Sequence, residues 1–188
     1  MYLASTPAAN ALLERDPLAL LIGMLLDQQI PMEKAFTSPD VLRERLGGEL
    51  DARTIAAYEP AAFEQLFRTP PALHRFPAAM AKRVQELARI IVDEYDGEAG
   101  AVWAAAATGD ELVARVGKLP GFGAQKAKIF VALLGKQFDV QPDGWREASG
   151  EYGSAGSHKS VADVVDAPSL QAVRAYKQQM KAAAKAAQ

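Results

Sequence analysis

A five-residue turn is the feature that most constrains how this chain can fold. The stretch LPGFG, residues 119–123, contains a proline and two glycines and separates two stretches whose apolar residues recur at helical spacing. Glycine adopts a positive φ without steric cost and leaves the neighbouring backbone N–H groups accessible. The pattern therefore predicts two helices joined by a tight hairpin over about residues 110–135, with Phe122 pointing into the core.

The rest of the chain is also predicted to be helical. The apolar run LALLIGMLL, residues 18–26, follows Asp16 and Pro17, which are typical of a helix N-terminus, and at nine residues it is too short to span a bilayer. A second stretch, residues 77–95, repeats apolar residues on one helical face. No stretch shows the alternation that is typical of strands, so the predicted fold class is all-α. The Gly- and Ser-rich segment 148–158 is predicted to be a loop.

Composition excludes several kinds of site. The chain has 188 residues and 0 cysteines, which excludes disulfides, cysteine nucleophiles, thiolate zinc sites and Cys-ligated iron–sulfur clusters. The formal net charge is -2, but residues 1–111 carry 10 basic and 17 acidic side chains, whereas residues 112–138 carry 5 basic side chains and no acidic one. Residues 168–188 carry 4 basic side chains and no acidic one. The basic segment around the turn is typical of a polyanion-binding surface, although two solvated helices with scattered lysines give the same pattern.

The tip of the hairpin is predicted to bind a phosphate group. Backbone amides around Gly121 and Gly123 lie at the start of the second helix, where the helix dipole favours an anion. Lys126 and Lys128 follow on that helix and add positive charge. A site of this kind binds the nucleic-acid backbone without reading a base.

The segment ELVARVGKLPGFGAQKAKIFVALLG resembles the helix–hairpin–helix of a known family. It is similar to the HhH-GPD superfamily of base-excision DNA glycosylases, which includes endonuclease III, the adenine-mismatch glycosylases and the bacterial alkylpurine glycosylases. Weaker similarities occur in the family's order at PLALLIGMLLDQQI, FPAAMAKRVQELARII and VQPDGW. Together they extend from about residue 16 to residue 147, and the segment after Gly150 has no counterpart in this resemblance.

The resemblance implies an enzyme that flips a damaged base into a cleft between two helical lobes and hydrolyses its N-glycosidic bond. Asp143, in VQPDGW, matches the family's catalytic aspartate. A carboxylate beside the sugar stabilises an oxocarbenium-like transition state and activates the attacking water. The alternative is that Asp143 only forms a Pro-Asp-Gly turn, in which case Asp27 is the candidate acid.

The resemblance also bears on strand cleavage and on cofactors. Bifunctional members carry a lysine two residues after the second hairpin glycine, where this chain has Gln125, a candidate for the base pocket. Lys126 is turned by about 100° around the helix. We therefore expect a monofunctional glycosylase for an alkylated or deaminated base, without an iron–sulfur cluster. A lyase that uses Lys126 and a DNA-binding module without catalysis are the alternatives. The resemblance further implies a monovalent cation at the carbonyl oxygens of Gly117, Leu119 and Phe122.

Five further residues are candidates for the base pocket or for the wedge that enters the base stack. Gln29 matches the position at which the family places a glutamine near the gap left by the flipped base. Asp27 and Gln28 precede it, and the alternative is that all three form only the exposed end of an apolar helix. Phe76 matches the wedge position, and Trp145 is a candidate for stacking on the base. The alternative for both aromatic residues is a place in the core.

The expected organisation is one helical glycosylase-like domain over residues 1–150. A loop and a basic helix over residues 151–188 are expected to pack on this domain. The expected partner is double-stranded DNA with a damaged base, bound by a monomer without a membrane partner. The expected location is cytoplasmic, in association with the nucleoid.

Overall fold

A computed structural model describes residues 1–186, in which eleven α-helices and two short 3₁₀ helices form the regular structure. The α-helices are α1 Pro7–Arg15, α2 Pro17–Leu26, α3 Met32–Arg45, α4 Ala52–Ala57, α5 Pro60–Arg68, α6 Pro77–Tyr95, α7 Ala101–Ala104, α8 Gly109–Gly117, α9 Ala124–Gln137, α10 Trp145–Ala148 and α11 Ala167–Ala186. The 3₁₀ helices are Gly150–Tyr152 and Val161–Asp163. Residues 1–186 contain no β-strand, only an isolated bridge between Thr108 and Asp143. The predicted all-α class is confirmed.

Capping side chains and prolines determine where the predicted helices begin. The carboxylate of Asp16 accepts hydrogen bonds from the N–H groups of Leu18 (2.9 Å) and Ala19 (3.1 Å) at the start of α2. Helix α6 begins at Pro77, as its sequence predicts. The prediction of a loop over 148–158 is partly wrong. The segment contains the end of α10 and the first 3₁₀ helix, because the N–H of Gly153 closes a turn onto the carbonyl of Gly150 at 3.1 Å.

The helices form two lobes. In the first lobe, α2 packs on α1 and α3, and α6 packs on α4 and α5. In the second lobe, α8 packs on α7 and α9, α10 packs on α8 and α9, and the second 3₁₀ helix packs on α9. Every residue of α2 from Leu18 to Leu26 is buried, and the C-terminal end of this helix meets the second lobe, where Lys126 of α9 donates to its last carbonyls. Its Leu25 contacts the hairpin, with Cγ 3.3 Å from the position that a Cβ would occupy at Gly121.

The five-residue turn between α8 and α9 has the conformation of a tight hairpin. Gly121 has a φ of 80°, as expected of a glycine at this position. Gly123 has a φ of -71°, because this residue caps α9 and its carbonyl accepts the N–H of Ala127 at 2.9 Å. Phe122 points into the core, as predicted, and its ring lies edge-on to Phe130 with centroids 5.6 Å apart.

The C-terminal helix is joined to both lobes. Leu170 and Val173 of α11 are buried, and Arg174 forms an ion pair with Glu33 of α3. The last two residues of the predicted segment 151–188 lie outside the described residues. No helix within residues 1–186 is both long enough and apolar enough to cross a membrane.

Candidate active site

A cavity of about 510 Å³ opens where the two lobes meet. Its volume is in the range of pockets that hold small organic ligands. The end of α2 contributes Met24 and Asp27, and the first turns of α9 contribute Gln125, Lys126 and Ile129. The opposite wall comes from the segment after Gly150, which has no counterpart in the sequence resemblance. Its principal side chains are Tyr152, Lys159, Tyr176, Lys177, Met180 and Lys181.

Asp27 is one of two carboxylates that line this cavity, and the other, Glu151, is exposed and forms an ion pair with Lys159 at 2.6 Å. Asp27 caps the C-terminus of α2, where its backbone N–H donates to the carbonyls of Gly23 (3.1 Å) and Met24 (3.3 Å). Burial raises the pKa of the Asp27 carboxyl above its ordinary value, and the nearby charges of Lys177 and Lys126 oppose this rise. A half-buried carboxylate with a raised pKa inside a cavity has the properties of a general acid or base.

Lys126 lies beside Asp27 and holds the end of α2. Its Nζ donates to the carbonyl oxygens of Met24 (2.9 Å), Leu25 (3.2 Å) and Asp27 (3.2 Å). These bonds satisfy carbonyls that a helix C-terminus leaves without partners, and the positive charge suits that end of the helix dipole. Burial lowers the pKa of Lys126, and the charge of Asp27 opposes this shift. An ammonium group has three N–H donors and no lone pair, and the three carbonyl oxygens accept all three donors, which favours the charged form.

Two tyrosines form the aromatic part of the cavity wall. The side-chain amide of Gln125 donates to the hydroxyl of Tyr152 at 2.7 Å, which links α9 to the first 3₁₀ helix. The ammonium of Lys159 lies 5.9 Å from the ring centroid of Tyr176 and pairs with Glu151 at 2.6 Å. Aromatic faces of this kind stack on a flipped base. Sequence reasoning missed both tyrosines, because only tertiary packing brings them to the cavity.

The loop after Asp27 holds the two glutamines in different ways. Gln28 is tied down, because its amide donates to the carbonyl of Leu25 (2.8 Å) and its side-chain oxygen accepts from Arg83 of α6 (3.1 Å). Gln29 is exposed and has a φ of 57°, a conformation that a non-glycine residue adopts only at a cost. The loop therefore anchors Gln28 and presents Gln29 to the solvent beside the cavity residue Asp27.

The predicted wedge residue lies at the start of α6. Phe76 is 42% exposed, and the guanidinium of Arg75 lies 5.3 Å from its ring centroid. An aromatic side chain that is exposed to this extent is not a core residue, so the alternative of a core position is wrong. The structure leaves Phe76 available to enter a base stack.

His74 joins the Phe76 segment to the glutamine loop. Its side chain is buried, its Nδ1 accepts the N–H of Phe76 (3.0 Å), and its Nε2 lies 2.9 Å from the carbonyl of Gln28. This pattern assigns the neutral tautomer with its proton on Nε2. Burial lowers the pKa of His74 and so favours the same neutral form. Sequence reasoning missed this residue, because a single histidine without a motif carries no signal.

Asp143 does not reach the cavity. Its side chain is exposed, its N–H donates to the carbonyl of Ala107 (3.2 Å), and its carbonyl accepts the N–H of Gly109 (2.7 Å). These bonds hold Asp143 at the N-terminus of α8. The hairpin follows the C-terminus of that helix, and the two ends of α8 are about 13 Å apart. The segment between α9 and α10 therefore does not line the cavity, and the structure does not bring Asp143 together with Asp27 and Lys126.

Trp145 does not line the cavity either, so the prediction that it stacks on the base is wrong. Its side chain is buried, and its ring lies on Gly135 of α9, 2.4 Å from the position that a Cβ would occupy there. Arg146 covers the ring with its guanidinium 4.4 Å from the centroid. A ring enclosed in this way cannot receive a base.

The tip of the hairpin has the donors that a phosphate needs. The N–H groups from Gly123 to Lys126 have no hydrogen-bond acceptor among residues 1–186, because the first N–H that bonds to a carbonyl is that of Ala127. Lys118 and Lys128 are exposed on either side and have no ion-pair partner within 4 Å in the described part of the chain. The side chain of Lys126 points inward, so this residue offers only its backbone N–H to a phosphate.

The three carbonyl oxygens for which the family resemblance implies cation binding differ in the hydrogen bonds that they accept. The carbonyl of Leu119 accepts the N–H of Phe122 at 3.1 Å, whereas those of Gly117 and Phe122 accept no hydrogen bond within residues 1–186. Two of the three oxygens are thus free to bind a monovalent cation, and this donor set fits such an ion. No group of three or more His, Cys, Asp or Glu side chains within residues 1–186 has the arrangement of a metal site.

Comparison with known families adds an independent finding. A family model described as "HhH-GPD superfamily base excision DNA repair protein" matches residues 22–188. The match includes the hairpin, the cavity residues of α2 and α9, and the segment after Gly150 that forms the opposite wall. No curated protein matches the chain.

Proposed function

The chain belongs to the HhH-GPD superfamily of base excision DNA repair proteins, and from this premise we propose that it is a monofunctional DNA glycosylase. The proposed reaction is hydrolysis of the N-glycosidic bond of an alkylated or deaminated base that has been flipped into the cavity. The observation that carries this proposal is the position of Asp27, a half-buried carboxylate in a cavity beside the phosphate-binding hairpin.

DNA binding is assigned to the tip of the hairpin. The free amides from Gly123 to Lys126 and the ammonium of Lys128 bind a backbone phosphate next to the flipped nucleotide. Phe76 enters the base stack, and Gln29 faces the gap that the flipped base leaves. Flipping costs a few kcal/mol of stacking and pairing energy, which these contacts offset.

The cavity is assigned to the flipped base. Its volume of about 510 Å³ is sufficient for a base. The rings of Tyr152 and Tyr176 offer stacking surfaces, and the amide of Gln125 offers hydrogen bonds to the base edge. The substrate assigned to the cavity is an alkylated or deaminated base.

The chemical step is assigned to Asp27 rather than to Asp143. As the bond between C1′ and the base nitrogen breaks, the electron pair leaves with the base and positive charge develops on the sugar. The Asp27 carboxylate stabilises that charge and accepts a proton from the water whose oxygen bonds to C1′. Asp143 is exposed at the N-terminus of α8, away from the cavity, and cannot perform this step from its position.

The absence of strand cleavage is assigned to the bonding of Lys126. A lyase step needs a neutral amine with a lone pair, whereas the three hydrogen bonds from Lys126 to carbonyls at the end of α2 favour its ammonium form, which has none. Gln125, at the position of the family's lyase lysine, is not a nucleophile. The product is therefore an abasic site in an intact strand.

The exposed turn that contains Asp143 favours a second candidate, a DNA-binding module without catalysis. A protein that binds DNA through the hairpin but does not hydrolyse the glycosidic bond does not need the residue that matches the catalytic aspartate to face the cavity. The two candidates make the same prediction for binding and opposite predictions for base release.

A single-turnover excision assay tests the proposal. Duplexes with an alkylated purine, hypoxanthine, uracil, a G·T mismatch or 8-oxoguanine are incubated with the protein, and an undamaged duplex serves as the control. We expect strand breaks at one or more lesions only after hot alkali, and no covalent product with borohydride. Breaks without alkali, together with a trapped complex, would support the lyase alternative. Binding of duplex DNA without base release from any lesion would support the binding module.

A further inference from the structure

The C-terminal half of α11 has no buried side chain. The buried side chains of this 20-residue helix are Leu170 and Val173, both within its first two turns. From Lys177 to Ala186 every side chain is exposed. This part consists of Lys, Ala, Gln and Met, which favour a helix by propensity alone. The start of this exposed half borders the cavity, and its side chains are otherwise open to the solvent.

Three lysines form a stripe along this exposed half. Lys177, Lys181 and Lys185 follow one another at intervals of four residues, which places them on one face over about 12 Å. Helix α11 contains no acidic residue, and no ion pair within 4 Å involves these lysines in the described part of the chain. Like charges four residues apart destabilise a helix, so the stripe is costly unless it meets an anion.

The stripe begins at the cavity. Lys177 and Lys181 line the cavity together with Tyr176 and Met180 of the same helix, and Lys177 lies close enough to Asp27 to affect its pKa. On the other side of the cavity are the first turns of α9, where the hairpin amides are free. The free amides of the hairpin and the lysine stripe therefore lie at different walls of the same cavity.

We propose that the stripe of Lys177, Lys181 and Lys185 is a second phosphate-binding surface, which holds the DNA backbone on the side of the flipped nucleotide opposite to the hairpin. The inference rests on the proposed function, since it takes the cavity as the site of the flipped base. The occupant is identified by charge, because regularly spaced cations without acidic neighbours match the phosphates of one strand. An ammonium group binds a phosphate as a point charge, so the stripe contributes affinity without sequence preference.

The salt dependence of DNA binding tests this inference. A lysine that binds a phosphate releases a counterion, so removing one such lysine reduces the slope of log K against log salt by about 0.9. We expect Lys181→Gln/Lys185→Gln to reduce the slope by about 1.8, equivalent to roughly 60-fold weaker binding at about 0.1 M salt. Lys177 is left in place because it adjoins Asp27. Lys181→Arg/Lys185→Arg should keep the wild-type slope, and Lys82→Gln, on the exposed face of α6, is the matched control.

The outcomes separate this inference from the proposed function. Suppose that Lys181→Gln/Lys185→Gln keeps the wild-type slope, whereas Lys118→Gln/Lys128→Gln at the hairpin weakens binding. This result would contradict phosphate binding by the stripe and would leave the glycosylase proposal intact. Equal reduction of the slope in the glutamine and arginine variants would also contradict phosphate binding by the stripe, because charge would not be the cause. The absence of duplex binding in the wild-type protein would remove both proposals. Circular dichroism of each variant checks that α11 is still helical.

Discussion

Asp27 and Asp143 are two carboxylates of the same chain in opposite surroundings. Asp27 closes an apolar helix, faces a cavity and has a pKa that burial raises. Asp143 lies in an exposed turn, where its backbone bonds to Ala107 and Gly109. Position along the chain favours Asp143 as the catalytic residue, whereas physical surroundings favour Asp27. The difference shows that chain distance from a motif locates a side chain only if the intervening segment follows the path found in other family members.

The comparison is tested most directly by replacing each carboxylate in turn. We expect Asp27→Asn to lower the single-turnover rate of base excision by about 10²–10⁴-fold, the usual contribution of a general acid or base. Asp143→Asn should stay within about threefold of the wild-type rate, because its side chain does not reach the cavity. Duplex affinity, measured in parallel, should be unchanged in both variants. The reverse order of the two effects would reinstate Asp143.

The second test asks whether the segment around Asp143 has a structural role. Gly135→Ala places a Cβ 2.4 Å from two ring atoms of Trp145, so the ring must move. We expect a loss of about 1–3 kcal/mol in the free energy of unfolding, the usual cost of overpacking. The excision rate of the folded protein should not change. Thermal unfolding and rate measurements on the same samples check both expectations.

A matched replacement in α8 controls for the change of residue type. At Gly117 an added Cβ is in ordinary contact with Ala127 at 3.9 Å, and Gly117→Ala keeps the carbonyl oxygen. This variant should be as stable as the wild type or slightly more stable, because alanine lowers the entropy of the unfolded chain. A normal stability for Gly135→Ala would show that Trp145 is loosely held and available for another role.

The same contrast explains how much the sequence could predict. The hairpin, the start of α2 and the start of α6 were predictable because caps, glycines and helical periodicity act over a few residues. The position of Asp143 was not, because it depends on a bridge to Thr108, which is distant in sequence. The cavity could be predicted only on the side of Asp27, Gln125 and Lys126. The wall that contains Tyr152 was not predictable, because the segment after Gly150 reaches the cavity through tertiary packing alone.

The lysines that line the cavity beside Asp27 lead to a third, smaller effect, a preference for neutral over cationic bases. Lys126, Lys177 and Lys181 line the cavity, whereas the charge of Lys159 is neutralised by Glu151 at 2.6 Å. A neutral base leaves as an anion, which these cations stabilise, and an alkylpurine that is already cationic gains nothing from them. We expect the rate enhancement over spontaneous base loss to be about tenfold greater for uracil or hypoxanthine than for a cationic alkylpurine.

Removing one cation provides the check on this preference. Lys177→Gln should reduce the ratio between neutral and cationic lesions, because Lys177 acts on the Asp27 side of the cavity. Lys82→Gln, on α6, should leave the ratio unchanged. A greater enhancement for the cationic lesion in the wild-type protein would mean that Asp27, rather than the lysines, dominates the field at the base.

The smallest expected effect is on stability, and its sign follows from the direction of the Asp27 pKa. Burial raises this pKa in the folded protein, so the folded state binds its proton more tightly than the unfolded state, whose pKa is near 3.8. The wild type therefore loses stability as pH rises from about 3.8 through the raised folded value. Asp27→Asn avoids this loss and should unfold at a higher urea concentration at neutral pH. The advantage should disappear as pH falls through the same window. If the variant is less stable at neutral pH, the attraction of Lys126 and Lys177 for the carboxylate outweighs the cost of its burial.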